Sequence, residues 1–479
     1  MVFFNTIKIK KIIGYLYRFK ILKNLRYIQI NYYSSKKTSN YNPNVSLEKV
    51  KLNINVKKKN LKFLICTISG DNFLIRLFDN LFYITLKLLK IEVSLLKCGK
   101  SLSLCHVSNY SLISEIKKDQ EKLCELCTKG FSTEFGQHNK DTVNLRDYID
   151  TKVVIKTNKI VNQINYKNVF NFKTIPYYIN ENVKSAFIRF NGSSKYNIHE
   201  TKNLEIIREY YKSALIFDYS FKKLLKKKKI NRIISHHGIY IPHGIILSVA
   251  KLKKISAYVW QPGYRKNSVV VIKNQNVHTY FPKTKNWNKF SFDKLKQNRI
   301  KKYLRSRVNA VDNWLSFNIK TENKIIFKNN NPTYLMALNV DWDAVVHFKS
   351  LAFKNMFDWV KFTVDYFVRN KDKNLIIRAH PAELLGNVPS SLTADKYLKS
   401  IYPKLPKNIK FISSFSSLNT YDLCKQSDVI LVYSSKISIE IATLGKPVIV
   451  SGEGWIKNKN ITHDIKSVNE YEKYLDKNV

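Results

Sequence analysis

Uninterrupted apolar runs that end in polar turns recur through residues 374–455. Residues 375–377, 429–433 and 447–450 are such runs, and helix-length segments separate them. Continuous apolar strands that alternate with helices are typical of a parallel sheet covered on both faces. Because ligands of such sheets bind at the carboxyl ends of the strands, we expect the three polar turns to converge on one crevice.

The same alternation opens the earlier part of the chain. Residues 61–69 predict a strand, residues 73–89 an amphipathic helix and residues 91–96 a second strand, as in a doubly wound unit. The turn at residues 70–72 lacks the spaced glycines of a dinucleotide fingerprint, so a nicotinamide or flavin cofactor is not indicated. Another apolar strand, at residues 332–338, begins a second unit.

We therefore predict an α/β protein with two Rossmann-like domains. The predicted boundaries are a basic extension at residues 1–60, a first domain at residues 61–325 and a second domain at residues 326–479. A charged, helical segment between Trp287 and Lys328 is the predicted linker. With 479 residues and 44% apolar residues, the chain is long enough to form both cores.

The net charge of +48 raises the question of an anionic partner. Lysine, asparagine, isoleucine and tyrosine are abundant in every segment, and no single basic face with interleaved aromatic residues stands out. We therefore favour a composition bias over nucleic-acid binding, and expect no nucleic-acid partner. The charge would still favour an anionic lipid surface or a phosphorylated ligand.

No apolar stretch reaches the roughly 18 residues that a membrane helix needs. Residues 73–96 come nearest, but Arg76, Asp79 and Lys87 interrupt them. The extension carries no acidic residue before Glu48, and we favour a disordered lysine-rich leader over a targeting or membrane-surface segment. We expect a cytoplasmic protein, with peripheral contact at the inner face of the membrane as an alternative.

Four cysteines follow the second strand in a C-x6-C and a C-x2-C pair. They are Cys98, Cys105, Cys124 and Cys127. Four thiolates with one tight knuckle can hold a structural zinc ion. The C-x6-C arm is looser than the usual knuckle, however, and buried cysteines are common as small apolar residues. Both interpretations stay open.

Three histidines lie close together after the predicted strand at residues 233–234. His236, His237 and His243 share one loop, and such loops at strand ends often carry acid and base groups. A set of hydrogen-bonded loop histidines is the alternative. The HExxH spacing of a zinc protease is absent from the sequence.

Five sequence blocks occur in a specific order: HHGIYIPHG from His236, WQPGYRKN from Trp260, NVDWDA from Asn339, IRAHPAE from Ile377 and VILVYSSKISIEIATLGKPVIVSGEGWIKNK from Val429. With these blocks the chain resembles the bacterial capsule and surface polysaccharide biosynthesis proteins that adopt the two-domain glycosyltransferase B fold. The resemblance implies two Rossmann-like domains facing each other across a cleft. It also implies a nucleotide-activated sugar bound mainly by the second domain and an acceptor held by the first.

The diphosphate of such a donor needs cations and helix N-terminal amides, and its hydroxyl groups need hydrogen-bond acceptors. The polar turns of the second domain offer both. We predict the following donor-binding residues: Arg378, His380, Glu383, Ser434, Ser435, Lys436, Glu440 and Glu453. Ordinary helix-start chemistry is the competing explanation for Glu440.

Glycosyl transfer with inversion also needs a base across the cleft from the donor. His237 is the first candidate and Asp343 the second, although Asp343 could instead cap the following helix. We expect no catalytic metal or other catalytic cofactor, because cationic side chains can neutralise the leaving diphosphate. The predicted partners are a nucleotide-sugar donor and a polysaccharide or glycolipid acceptor. A polyol-phosphate transferase of similar fold and a non-catalytic assembly protein of polysaccharide export are the alternatives.

Overall fold

The computed structural model describes residues 60–110, 116–263, 268–279, 291–308, 326–385 and 388–477. Apart from Asn60, the predicted basic extension lies outside the described residues. Residues 264–267 of the WQPGYRKN block and residues 309–325 of the predicted linker also lie outside them.

The first unit is a six-stranded sheet covered by helices, with the strand order β3-β2-β1-β4-β5-β6. Its strands are β1 (Lys62–Ile65), β2 (Glu92–Lys97), β3 (Thr142–Asn144), β4 (Arg232–His236), β5 (Ser256–Pro262) and β6 (Val269–Lys273). Its helices are α1 (Phe73–Leu88), α2 (Ile116–Phe135), α3 (Thr151–Asn162), α4 (Tyr177–Asn191), α5 (Thr201–Lys228) and α6 (His243–Leu252). The strand pairs are parallel except β5 with β6.

A connecting helix, α7 (Lys294–Val308), precedes the second unit. The second unit is also a six-stranded sheet, with the order β12-β11-β10-β7-β8-β9 and parallel pairing throughout. Its strands are β7 (Thr333–Ala337), β8 (Asn374–Arg378), β9 (Ile409–Ile412), β10 (Val429–Val432), β11 (Val448–Val450) and β12 (His463–Asp464). Its helices are α8 (Met356–Arg369), α9 (Ala382–Leu385), α10 (Ala394–Ile401), α11 (Thr420–Lys425), α12 (Ile437–Ala442) and α13 (Val468–Asp476).

The central strand β7 has no alternation of apolar and polar residues, because both of its faces are buried. Tyr334 and Met336 belong to the apolar core on one face of the second sheet, whereas Leu335 and Ala337 belong to the core on the other face. Because helices cover both faces, successive side chains of a parallel strand are all buried. The continuous apolar runs predicted as buried strands are confirmed as such at β7, β8, β10 and β11.

Local hydrogen bonds fix where the helices begin. The Asn72 side chain accepts hydrogen bonds from the backbone amides of Leu74 and Ile75 and so starts α1. At α13, Ser467 accepts from the Glu470 amide, and the Glu470 carboxylate accepts from the Lys466 amide. This reciprocal pair resembles a capping box and stabilises the first turn of α13.

Each sheet has a point where the chain order reverses. In the first sheet the reversal lies between β1 and β4, and in the second between β7 and β10. Ligands of doubly wound sheets bind in the crevice at this point, outside the carboxyl ends of the strands. The loops after these four strands therefore form the candidate site.

Candidate active site

The end of α4 brings an arginine of the first unit to the second unit. Gly192 ends the helix with a φ of +69°, a conformation that glycine adopts without strain. Its carbonyl accepts a hydrogen bond from the Ser391 amide of the second unit at 3.0 Å, and a Cβ at this position would lie 2.5 Å from the Pro389 oxygen. This close backbone contact fixes the helix end, and with it Arg189 one turn earlier.

The loop after β7 carries two carboxylates with different surroundings. Asp341 is buried, and one of its oxygens accepts from the Ser194 amide (2.7 Å) and from the hydroxyls of Ser194 (2.8 Å) and Ser193 (3.1 Å). Burial raises the pKa of Asp341 despite these bonds. Asp341 therefore joins the loop to the first unit and does not face the cleft.

Asp343 instead lies in the cleft, with 49% of its side chain exposed. Its Oδ1 accepts hydrogen bonds from the Arg189 guanidinium (3.0 Å) and the Tyr240 hydroxyl (3.1 Å). The same guanidinium lies over the rings of Tyr240 (4.8 Å) and Trp342 (5.5 Å). Although loss of surrounding water opposes it, the Arg189 charge holds the pKa of Asp343 below its ordinary value. Asp343 is thus an ionised, oriented carboxylate between the two units.

Histidines concentrate around this carboxylate. Seven of the ten histidines in the chain form one group, in which ring contacts or charge interactions link neighbours and Asp343 links His380 to the rest. They are His106, His236, His237, His243, His278, His347 and His380. Burial is the main cause that lowers their pKa values where a shift is resolved, to about 3 for His236 and about 4 for His347 and His380. These three imidazoles are therefore neutral at pH 7 and offer polar atoms without adding charge.

The loop from His236 to His243 holds two non-glycine residues with positive φ, His237 (+23°) and Tyr240 (+62°). Such backbone strain persists only where the surrounding structure enforces it, and it clusters at functional sites. Here it directs the Tyr240 hydroxyl to Asp343 and places the His237 ring 6.2 Å from the His278 ring.

Backbone hydrogen bonds select the tautomers of two of these histidines. His237 Nδ1 accepts from the Ile239 amide at 3.2 Å, and His380 Nδ1 accepts from the Ala382 amide at 3.0 Å. In a neutral imidazole whose Nδ1 is an acceptor, the proton sits on Nε2. Both rings therefore present an N–H donor on the Nε2 side, which suits an oxygen-rich or anionic ligand.

His243 is fully buried and uses both ring nitrogens within the first sheet. Nε2 is 3.0 Å from the Ser69 hydroxyl, on the loop after β1, and Nδ1 is 3.2 Å from the Ser235 hydroxyl, near the end of β4. Potential ligand atoms of His236, His237 and His243 do lie within 4.8 Å of one another. Because His243 is engaged at both nitrogens, the arrangement favours a polar bridge across the reversal point of the sheet over a metal centre.

The turn after β10 carries the second charged group of the site. Lys436 donates hydrogen bonds toward the Tyr303 hydroxyl of α7 (3.1 Å) and lies 3.3 Å from Glu440. Glu440 also accepts from Arg307 Nε of α7 (2.7 Å) and from the Tyr421 hydroxyl. Burial lowers the pKa of Lys436 to about 8, with the Arg307 charge acting in the same direction and Glu440 opposing. The helix that follows, α12, has only six residues, so its dipole adds little to this turn.

Two predicted donor-binding residues are committed to loop packing. The buried Arg378 guanidinium donates to the backbone carbonyls of Ser413, Ser416 and Leu418 after β9, and burial lowers its pKa to about 10. Glu383 is buried as well, and its two oxygens accept from the Ala394 amide (3.0 Å) and the Ser414 hydroxyl (2.6 Å). Burial raises the pKa of Glu383 to about 7. In the observed conformation both residues hold the rim of the crevice together.

The remaining predicted donor residues lie at the tips of β10 and β11. The Ser434 hydroxyl is buried without a hydrogen-bond partner, and a Cβ on Gly452 would come within 2.7 Å of it. Ser435 and Glu453 bond locally, the former to the Ile437 amide and the latter to the Gly454 amide. The neighbouring Trp455 indole donates to the His278 carbonyl at 3.4 Å, so this tip meets the first unit beside the histidine group.

The four cysteines predicted as zinc ligands gather beside the first sheet. Gln120 lies 3.2 Å from the Cys124 sulfur and 3.9 Å from the Cys105 sulfur, while Cys127 packs 3.9 Å from the Ile68 carbonyl. Burial raises the pKa of each thiol, to about 11 for Cys98. Within the described part of the chain, no three of these sulfurs come within 4.8 Å of one another, so the zinc site remains a prediction.

Several residues of the site were not predicted. Arg189, His278, Arg307 and His347 lie on segments that carry no recognisable motif. One signal was present, because only 13 of the 83 basic residues are arginine. Arginine forms planar, forked hydrogen bonds that lysine cannot, so the few arginine positions were candidates for functional contacts.

Two Rossmann-like sheets face each other with their carboxyl edges. Side chains from both units meet at Asp343, and the connecting helix meets the second unit at Glu440. This is the arrangement of the glycosyltransferase B fold, as predicted. Residues 242–476, just under half of the chain, match the family model described as capsule polysaccharide biosynthesis protein. Four of the five sequence blocks lie entirely within this match.

No curated protein sequence matches the chain. Among solved structures, the β-Kdo 2,4-transferase KpsC of Thermosulfurimonas dismutans is 15% identical, with 50% of this chain and 74% of that chain covered and a TM-score of 0.37. The UDP-GlcNAc 2-epimerase of Neisseria meningitidis bound to UDP-GlcNAc is 11% identical, with 87% and 90% covered and a TM-score of 0.25. These scores are too low to assign an activity.

Proposed function

We propose that this protein is a glycosyltransferase that moves a sugar from a nucleotide-activated donor to a capsule or surface polysaccharide or glycolipid acceptor. One observation carries the proposal. Asp343, an ionised and half-exposed carboxylate of the second unit, is oriented by Arg189 and Tyr240 of the first unit, in the cleft between two reversal points. The family match supports the polysaccharide context.

The donor half of the proposed site lies on the second sheet. Lys436 supplies positive charge at the tip of β10, and the Nε2–H of His380 supplies a neutral donor at the tip of β8. The unpartnered Ser434 hydroxyl offers a further polar contact there. These groups suit the phosphate oxygens of a nucleotide, and in this proposal they stabilise the leaving phosphate without a catalytic metal.

The acceptor half lies on the first sheet, and the proposed base is Asp343, which the second unit presents to it beside Arg189 and Tyr240. Its carboxylate is ionised at neutral pH and can accept the proton of an acceptor hydroxyl as the glycosidic bond forms. His237 is less suited to this role because its Nδ1 already accepts a backbone hydrogen bond and Nε2 carries the proton. We therefore place Asp343 first and assign His237 the role of hydrogen-bond donor to the acceptor or donor sugar.

A ligand and turnover screen tests the proposal. The full-length protein is mixed with UDP-, GDP- and CMP-linked sugars and with CDP-linked sugars and polyols, and thermal stabilisation and nucleotide release are measured. Stabilisation by one nucleotide-sugar class, with release that depends on an added glycan acceptor, is the expected result. Selective stabilisation by CDP-linked polyols would favour the polyol-phosphate transferase, and no stabilisation by any compound would favour an assembly protein.

Asp343→Asn is the diagnostic variant within that screen, and the exposed Asp372→Asn is its matched control. The first substitution keeps the shape of the side chain but replaces the basic carboxylate with a neutral amide. Nucleotide-sugar binding should therefore survive, while nucleotide release is lost. Asp372→Asn should leave both unchanged. Equal release by the two variants would refute the assignment of the base.

We also propose peripheral contact with an anionic membrane, which would bring a lipid-linked acceptor to the cleft. The net charge of +48 and the lysines that end α5 support electrostatic attraction. In the described residues no helix is long and apolar enough to cross a bilayer. Sedimentation with phosphatidylglycerol vesicles but not with phosphatidylcholine vesicles is expected, and equal sedimentation with both would contradict the contact.

A further inference from the structure

The last two helical turns of the connecting helix α7 contact Lys436 and Glu440, at and after the end of β10. Arg307 Nε donates to a Glu440 oxygen at 2.7 Å, and the Tyr303 hydroxyl lies 3.1 Å from Lys436 Nζ. Lys436 Nζ is also 5.8 Å from the centre of the Tyr303 ring. The segment that joins the two sheets is therefore packed directly against the residues predicted to bind the donor.

Exposure separates the charges within this cluster. The Glu440 side chain is 4% exposed, whereas Arg307 is 16% and Lys436 is 21% exposed. The carboxylate thus lies at the buried end of the cluster, and the two cations lie on the side that water reaches. Both cations are therefore more accessible to a charged ligand than the carboxylate that they contact.

Arg378 does not take this role in the observed conformation. It is only 4% exposed, and its donors are directed to the carbonyls of the loop after β9. An anion at the tip of β10 would therefore meet the guanidinium of the connecting helix rather than that of β8.

We infer that Arg307 is an anion-binding residue of this turn and that, together with Lys436, it takes a phosphate or pyrophosphate group, with Glu440 positioning both cations. The inference rests on the proposed function, since it names the part of the chain that receives the donor phosphates. It makes α7 a component of the donor site and not merely a linker. Arginine suits this place because its fork can bond a carboxylate and a phosphate in one plane.

Isothermal titration of the full-length protein with inorganic pyrophosphate tests the inference. Arg307→Met should lower the affinity about tenfold, since it removes one charge-assisted contact. Arg307→Lys should recover most of that loss. Arg305→Met is the matched control, because Arg305 lies on the same helix, carries the same charge and is exposed; its affinity should stay within about twofold of the parent.

The salt dependence of the same titration separates a binding role from a structural one. If Arg307 contacts the anion, Arg307→Met should bind with a shallower dependence on sodium chloride than the parent protein. A purely structural role predicts a lower melting temperature with an unchanged salt slope, and would overturn the inference. Equal losses in Arg305→Met and Arg307→Met would also overturn it, because the general positive field would then explain the binding.

The outcomes are distinguishable from those of the proposed function. If the parent protein binds pyrophosphate through Arg307 but turns over no nucleotide sugar, the anion site stands and the glycosyltransferase proposal fails. If nucleotide sugar is turned over and Arg307→Met retains full pyrophosphate affinity, the function stands and this inference fails. A parent protein that binds no pyrophosphate refutes the anion site directly.

Discussion

The lowered pKa of Lys436 predicts that donor binding weakens at mildly alkaline pH. With a pKa of about 8, about nine-tenths of the Lys436 side chains are charged at pH 7 and about one-tenth at pH 9. If only the charged form binds phosphate, the affinity for a nucleoside diphosphate falls about tenfold across this interval, or about 1.4 kcal/mol. The terminal phosphate, with a pKa of about 6, stays ionised throughout and adds no opposing change.

Folding stability changes in the other direction, which keeps the two effects apart. Because burial lowers the pKa of Lys436 in the folded protein, the native state binds fewer protons than the unfolded state between about pH 8 and the ordinary lysine value. This lysine therefore favours unfolding as the pH falls through that window, not as it rises. A loss of affinity from pH 7 to 9 cannot be attributed to unfolding driven by Lys436.

The assay is isothermal titration at pH 7, 8 and 9 with the nucleoside diphosphate that stabilises the protein best. Lys436→Arg should abolish the pH dependence, since a guanidinium keeps its charge well above pH 9. Lys425→Arg, at an exposed lysine of α11, is the matched control and should behave like the parent. An affinity that is flat from pH 7 to 9 in the parent, or that falls equally in Lys436→Arg, would refute the reasoning.

Four further predictions follow from the contacts. Asp343→Asn should reduce turnover at least about 100-fold with little change in the donor KM, and a reduction under threefold would exclude Asp343 as the base. Arg189→Met should lower the free energy of unfolding by about 1 kcal/mol at pH 7, after allowance for the exposure of its ion pair. Because the pKa of Asp343 is lowered, denaturant titration should show the ion-pair part of this difference being lost as the pH falls below that pKa, whereas the part from the ring contacts of Arg189 stays. Arg378→Met should cost about 3 kcal/mol of stability without loss of pyrophosphate affinity, whereas the exposed Arg369→Met should cost little. Purified protein should contain about one zinc per chain if the cysteines hold the metal, and loss of that metal in Cys124→Ser would place it; a preparation with no zinc would end the prediction.

The fold could be predicted where the sheet is buried on both faces. The central strands β7, β8 and β10 are continuous apolar runs, so their type and approximate bounds follow from the pattern. The edge strands β3 and β12 were not predicted, because they have three and two residues and carry polar side chains. Strands this short depend on their neighbours and leave no periodic signal.

The candidate site could be predicted only as a set of loops. Strand-end positions pointed to the carboxyl edge of each sheet. The structure places Asp343 there beside Arg189, and Lys436 beside Glu440. The pattern could not show the direction of a side chain, and so it treated Arg378 and Lys436 alike. Arg378 turns toward three carbonyls that lie 35 to 40 positions later in the chain. Such partners depend on tertiary packing and not on local spacing.

The few arginines of this lysine-rich chain show what the sequence pattern missed. Arg76 bonds the Gly130 carbonyl beside the buried Glu134, Arg189 bonds Asp343, and Arg307 bonds Glu440. Lysine would keep the charge at each position but not the forked geometry, and its ammonium is more costly to strip of water. At these three positions a described partner fixes the direction of the guanidinium. On this reasoning Arg307→Lys, which keeps the charge and loses the fork, separates the contribution of charge from that of the forked hydrogen bonds.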